Sequence, residues 1–307
     1  MTERIGFIGI GRMGAPMCAR LLRAGFGVTA FDTRRAAVRA AVESGARPAG
    51  SVAECAGASD VLITMLPGPA EVEEVLVGEG SALSALAPGS LVIDMSTNSP
   101  AVGRRIAAAA ARRGIGVLDA PVTDASRVAE GMLQILVGGE PHDVERARPV
   151  LEAMGDPRRI VHVGPHGAGY TAKLLVNLQW FIHAAAAAEA LTIGARAGIP
   201  VRVLSGVFLS SPARSSFLEH EALELLERGQ YGDSFPLGLV VEELRLALEL
   251  AGETDVPARL SEATAEIYRA ARDQLGGDAG ELGVVRLYEE LTGTPLRFDP
   301  GAGTQPS

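Results

Sequence analysis

Cysteine is almost absent: Cys18 and Cys55 are the two in 307 residues. They stand far apart, so neither a disulfide framework nor a thiolate metal centre is supported, and a reducing compartment suits the chain. Aromatic residues make up 4% of the sequence against a hydrophobic share of 47%. The core must therefore be aliphatic and alanine-rich, which favours close-packed helices over an aromatic-rich β structure. A basic excess is also lacking. The formal net charge is −9, whereas a nucleic-acid partner calls for a basic face. No apolar run reaches the roughly 20 residues needed to cross a bilayer. The N-terminus enters a strand-like run, Ile5 to Ile10, without the basic, apolar and small-residue zones of a cleavable signal. The histidines, His142, His162, His166, His183 and His220, show no metal-ligand spacing. The expectation is a soluble cytoplasmic protein of two domains, with no membrane, metal or nucleic acid among its partners.

What is present begins at once. Ile5-Gly-Phe-Ile-Gly9-Ile10-Gly11-Arg12-Met13-Gly14 is a short apolar strand running into G-x-G-x-x-G. A helical pattern follows through Met17, Cys18, Leu21 and Leu22, and a second strand, Val28 to Phe31, ends in Asp32. That is the βαβ setting the motif requires. Gly9 permits the tight turn, Gly11 lets the backbone reach a pyrophosphate, and Gly14 lets helix and strand pack closely. The free N–H groups of the helix start would bind the phosphates. Asp32 suits the ribose hydroxyls of NAD and would repel a 2′-phosphate. Arg34 and Arg35 leave NADP open, and Thr33 lies between acid and base.

The alternation of strand and helix continues. Val61 to Met65 ends in Leu66-Pro67, Leu91 to Met95 in Ser96-Thr97, Val117-Leu118 in Asp119-Ala-Pro-Val-Thr123, and Leu133 to Val137 in two glycines. This pattern predicts an α/β, doubly wound Rossmann domain over residues 1–164 with a mostly parallel sheet. Ligands in such sheets lie beyond the carboxyl ends of the strands, where Leu66, Pro67, Thr97 and Thr123 fall. After residue 198 the β signals fade. Residues 165–296 read as an all-helical domain reached through a long helix, 169–197, and residues 297–307 have the composition of a disordered tail. The long helix opens after Gly164, Gly167 and Gly169 and carries Lys173 and Asn177 four residues apart, on one face. Taken alone, Lys173 reads equally well as a solvated surface lysine or as a lysine with a task.

A Rossmann domain, a glycine loop, and a helix bearing Lys173 and Asn177 together resemble the β-hydroxyacid dehydrogenase family, which includes 3-hydroxyisobutyrate and tartronate semialdehyde reductases and belongs with 6-phosphogluconate dehydrogenase. The resemblance extends to about Leu291. It rests on Gly9-Ile-Gly11-Arg-Met13-Gly14-Ala-Pro16-Met17, on Asp119-Ala-Pro-Val122, and most specifically on Gly167-Ala-Gly169-Tyr-Thr-Ala-Lys173-Leu-Leu-Val-Asn177. It implies hydride transfer between NAD(P) and a small-molecule CH–OH substrate. Lys173 would be the acid/base, Asn177 would hold the substrate, Thr97 would lie at the nicotinamide ribose, and Leu66 and Pro67 would line the cofactor cleft. It also implies a homodimer or homotetramer built through the helical domain.

Two departures qualify that likeness. The family follows D-A-P-V with Ser-Gly-Gly, which grips the substrate carboxylate. Here Thr123-Asp124-Ala125 stands instead. In the later helix the family carries Lys-Asp, and here Glu242-Glu243 precedes Leu244. Acids facing the pocket would oppose a plain carboxylate substrate. They would suit a cationic one: an amino alcohol, a β-hydroxy amino acid or an imine. Alternatively they would mark a dinucleotide-binding protein without turnover. Trp180, one turn beyond Asn177, serves either as core packing or as a wall of the substrate pocket.

Overall fold

The structure is a computed structural model that describes residues 3–123, 125–231 and 235–298. The chain divides into two compact units, Met1–Lys173 and Leu174–Ser307. Asp124 lies outside the described residues, as does the tail beyond residue 298. Residues 297 and 298, which the sequence analysis places in the tail, make defined contacts. Phe298 is buried under the Arg202 guanidinium, and Arg297 pairs with Glu289 at 2.6 Å, so one aromatic ring and one ion pair keep the chain ordered past residue 296.

The first unit runs β1 (Arg4–Ile8), α1 (Gly14–Arg23), β2 (Gly27–Phe31), α2 (Arg35–Glu43), β3 (Arg47–Pro48), α3 (Val52–Gly57), β4 (Val61–Thr64), α4 (Pro69–Val77), α5 (Ala82–Ala85), β5 (Leu91–Asp94) and α6 (Pro100–Ala111). It continues through β6 (Gly116–Asp119), β7 (Val122–Thr123), β8 (Leu133–Gly139), α7 (Pro141–Met154) and β9 (Gly155–Gly164). The sheet order is β3-β2-β1-β4-β5-β6-β8-β7, with β9 paired to β8. Pairing is parallel from β3 to β6 and antiparallel where β8 meets β6 and β7. The short β7 and the long β9 were not anticipated.

Near-continuous apolar runs suit strands buried on both faces. Successive side chains point to opposite sides. Ile5, Phe7, Val61, Ile63, Leu91 and Ile93 therefore join one cluster with Met17 and Leu21 of α1 and Val144 and Leu151 of α7. Ile8, Leu62 and Val92 join another with Val72 and Leu76 of α4 and Val102 and Ile106 of α6. Proline opens α4, α6 and α7, where a missing N–H costs nothing.

One helix, α8 (Ala168–Arg196), runs from the first unit into the second. The second unit continues with α9 (Val201–Leu209), a π-helical stretch (Phe217–Ala222), α10 (Leu223–Arg228), α11 (Leu237–Glu253), α12 (Arg259–Leu275) and α13 (Gly283–Thr292). By length and composition α8 is apolar enough to cross a membrane, although no such span was expected from the sequence. Phe181, Ala184, Ala188 and Leu191 instead pack in one core with Leu225, Val240, Leu244, Tyr268 and Leu287. Small alanines let neighbouring helix backbones approach closely, which explains an apolar helix with few large side chains. Glu189 accepts a hydrogen bond from the Tyr288 hydroxyl at 2.8 Å within this unit.

Candidate active site

β1 ends where the strand order reverses, with β2 on one side and β4 on the other. That is the point at which open parallel sheets bind ligands. Gly9 sits at φ +93, and a Cβ there would run into the Met65 carbonyl; one on Gly14 would run into the carbonyl of Gly9. These two glycines serve the tight packing of the loop itself. A Cβ on Gly11 would meet only the Arg34 guanidinium, at 3.5 Å, so the backbone there stays open to approach. The first turn of α1 carries no acid and no side-chain cap; Ala15 donates its N–H to the Gly11 carbonyl at 2.9 Å and Pro16 has none, so an anion would be met by the loop N–H groups that lead into the helix.

Asp32 accepts from the Ile10 and Arg34 N–H groups, each at 2.8 Å, and from Arg34 Nε at 3.1 Å. Burial pushes its carboxyl up, but the Arg34 and Ile10 hydrogen bonds outweigh it and hold it below the ordinary range. A fixed, ionised acid thus stands at the end of β2, with Arg12, Thr33 and Arg34 exposed around it. Leu66 donates its N–H to Ser96 Oγ at 2.8 Å; Pro67 is exposed and Thr97 half-buried. An open loop backbone, an uncapped helix start and an acid at the next strand end fit a bound dinucleotide.

The start of α8 is held by acids at two further strand ends. Asp119, at the end of β6, accepts from the N–H groups of Gly167 at 2.9 Å and Tyr170 at 3.1 Å. Burial pushes its carboxyl up, partly offset by those N–H groups. A Cβ on Gly169 would lie 2.5 Å from the Leu136 carbonyl and 2.6 Å from that of Asp119. Gly169 therefore lets the protein's own strands approach the helix start. Asp94, at the end of β5, is fully buried and accepts from Thr64 Oγ1 at 2.7 Å, Ser96 Oγ at 2.6 Å and the Tyr170 hydroxyl at 2.5 Å. Burial first, then the charges of Asp94 and Asp119, push the Tyr170 phenol well up, so it stays a donor. Lys173 stands one turn further along, half-buried. Asp94 and Tyr170 escaped the sequence reading. The usable signal was a carboxylate closing an otherwise apolar strand.

In the second unit the half-buried Asn177 donates Nδ2 to the Glu243 carboxylate of α11. Glu243 is buried, whereas Glu242 is half-buried and turned to Arg245, 2.5 Å away. Those Arg245 bonds hold its carboxyl below the ordinary range despite partial burial. Of this acid pair Glu243 reaches Asn177, while Glu242, which would have faced a substrate, pairs with Arg245. The Trp180 indole packs edge-on against Phe181 and Phe217 with ring centroids 5.6 and 5.5 Å apart, which accounts for it as core packing. Thr123 directs its hydroxyl to Gln134 Oε1 at 3.0 Å across the β7–β8 ladder. Ala125 opens a short 3-10 helix. No cluster of metal-ligating side chains occurs among the described residues.

Comparison with known proteins agrees with this arrangement. Residues 4–164 match the family model described as the NAD binding domain of 6-phosphogluconate dehydrogenase, and residues 167–288 match that described as NAD-binding of NADP-dependent 3-hydroxyisobutyrate dehydrogenase. The chain is 36% identical to the 2-(hydroxymethyl)glutarate dehydrogenase of Eubacterium barkeri, over 95% of this chain and 97% of that one. It is 34% identical to the NAD-dependent L-serine dehydrogenase of Pseudomonas aeruginosa, over 95% and 99%. A solved structure of Mycobacterium tuberculosis 3-hydroxyisobutyrate dehydrogenase with L-serine superposes with a TM-score of 0.83 at 31% identity, covering 93% of this chain and 99% of that one. A dinucleotide loop that fits its ligand, the lysine–asparagine helix that follows it, and similarity over nearly the whole length lead to one assignment: the chain belongs to the β-hydroxyacid dehydrogenase family and is an NAD(P)-dependent oxidoreductase acting on CH–OH donors.

Proposed function

We propose that the protein interconverts a β-hydroxy acid and its aldehyde or ketone, with Lys173 as acid/base and Asn177 as substrate holder. One observation carries the assignment of Lys173: it is the only lysine in the chain, and arginine accounts for the rest of the 28 basic residues. Arginine stays protonated in proteins, whereas lysine can give up and regain a proton. A chain that uses arginine for every other such charge has kept its lysine one turn into a helix whose start is tied to two strand ends.

The nicotinamide, when bound, supplies the hydride chemistry. The residues supply the rest. The N–H groups of the loop that leads into α1 hold phosphate, and Asp32 holds ribose hydroxyls and favours NAD over NADP. Lys173 takes the hydroxyl proton at Nζ on oxidation and returns it on reduction. A specific observation supports a second reading of the substrate: Glu243 is a buried acid bonded to Asn177, and such an acid favours a substrate that carries an ammonium group beside its carboxylate. One relative is named for L-serine. A cytoplasmic homodimer or homotetramer completes the reading.

The deciding experiment is Lys173→Ala. Dinucleotide affinity should persist, while kcat falls by about 10²–10⁴-fold, the usual contribution of a positioned acid/base. Substantial residual turnover would sink the assignment. Assaying 3-hydroxyisobutyrate and L-serine side by side, with NAD and with NADP, separates the two substrates and tests the dinucleotide preference.

A further inference from the structure

Asp94 is bonded more densely than a strand end requires. Oδ1 accepts from Thr64 Oγ1 at 2.7 Å, Ser96 Oγ at 2.6 Å and the Ser96 N–H at 3.2 Å. Oδ2 accepts from Tyr170 OH at 2.5 Å and Asn98 Nδ2 at 3.4 Å. Ser96 Oγ in turn accepts from the Leu66 N–H. One carboxylate thus ties together the loop after β4, the loop after β5 and the first turn of α8. Space for the phenol ring has been left on the opposite side. A Cβ on Gly103 of α6 would lie 2.5 Å from Tyr170 Cε2.

The two acids constrain α8 differently. Asp119 grips backbone N–H groups and so fixes where the helix begins. Backbone contacts at one end restrain the position of the helix more than its roll about the axis. The Tyr170 side chain reaches out from that axis to Asp94 and stops the roll. Lys173 is three residues on, and side chains three apart share a neighbourhood on a helix and turn together. A roll of about 10° would displace an ammonium lying on the order of 6 Å from the axis by about 1 Å. Misplacement on that scale costs roughly 10²-fold in rate.

We propose that Tyr170 and Asp94 are positioning residues for Lys173: their hydrogen bond sets the rotation of the first turn of α8 against the loops after β4 and β5. This rests on the reading of Lys173 as the acid/base.

The test exploits the unique lysine. Protein labelled with 15N at lysine Nζ gives a single side-chain resonance, from Lys173. Tyr170→Phe removes the hydroxyl alone. Gly103→Ala keeps it and displaces the ring, which leaves a usable variant should Tyr170→Phe fail to fold. In each, kcat should fall by about 10–100-fold with the KM for NAD within about twofold, because the α1 loop is untouched. The Lys173 resonance and the pH profile of kcat should both shift. A folded variant with lowered thermal stability but unchanged kcat and unchanged Lys173 resonance overturns the proposal, since that is the signature of a merely structural bond. Lys173→Ala, run alongside, separates the two claims. Should it retain turnover, the acid/base reading falls and the positioning role with it. Should it be inactive while Tyr170→Phe matches the parent protein, only the positioning role falls.

Discussion

Two successive turns of α8 carry the two candidate site residues, and they are anchored in different ways. The turn before Lys173 is bound at both backbone and side chain by Asp119 and Asp94, each a buried acid with several donors. The turn that carries Asn177 reaches the buried Glu243 of α11 through its side-chain amide. The first arrangement is over-determined, and removing any one member leaves the others strained or unsatisfied. The second uses a charge-assisted side-chain hydrogen bond, open to tuning by one substitution. The contrast suits the two tasks proposed for these residues. Proton transfer tolerates little misplacement, whereas substrate choice must be adjustable between relatives of one fold.

Gly169→Ala attacks the over-determined turn where it has least freedom. The new methyl would meet two main-chain carbonyl oxygens rather than flexible side chains, so the helix start would have to leave its seat between β6 and β8. A stability loss of roughly 3 kcal/mol, the upper end of overpacking, is expected by denaturant titration, with turnover lost alongside. If the variant is as stable and active as the parent protein, the helix start is not fixed there, and the comparison between the two turns collapses.

Much of this was legible in the sequence, and what was not has physical reasons. Gly9, Gly11, Gly14 and Asp32 were legible because their spacing encodes a local turn and the end of the next strand. Lys173 and Asn177 were legible because four residues make about one helical turn. The partners of Tyr170 were not, because Asp94 lies 76 positions away and meets it only through the strand order. The same holds for Gly169, whose neighbours at residues 119 and 136 are brought in by β6 and β8. Glu242 and Glu243 are a different case, since adjacent helix residues point about 100° apart. Val240, Glu243, Leu244 and Ala247 form an i, i+3, i+4, i+7 stripe and all four are buried. Periodicity alone would have turned Glu243 inward and left Glu242 to Arg245.

Glu243→Gln tests the tunable turn. The amide keeps an acceptor for Asn177 and removes the charge. The fold should survive, and the KM for L-serine should rise by about tenfold relative to that for 3-hydroxyisobutyrate, as expected when a partly desolvated charge no longer faces an ammonium group. Equal changes for both substrates would show that this acid does not sort them by charge, leaving only the β-hydroxy acid reading.

The smallest effect is expected at an acid that accepts three hydrogen bonds, against five at Asp94, and lacks its burial. Asp60, next to the start of β4, accepts from the Arg4 backbone N–H at 3.0 Å, Nε at 3.0 Å and an Arg4 guanidinium nitrogen at 2.7 Å. The side chains of this pair are 63% and 36% exposed. The Arg4 side-chain bonds, then its backbone N–H, lower the Asp60 carboxyl from the ordinary 3.8 to about 2. The folded pKa is the lower one, so the unfolded chain binds more protons in acid. The stabilisation is therefore complete above 3.8 and drains away as the pH falls through about 2. Solvent screening makes exposed pairs weak, so the loss should be small despite three hydrogen bonds. Asp60→Asn should leave kcat unchanged and flatten the fall in melting temperature between about pH 5 and pH 2 by on the order of one degree. A drop as large as that of Gly169→Ala at neutral pH would mean that burial does not decide how firmly an acid anchors this fold.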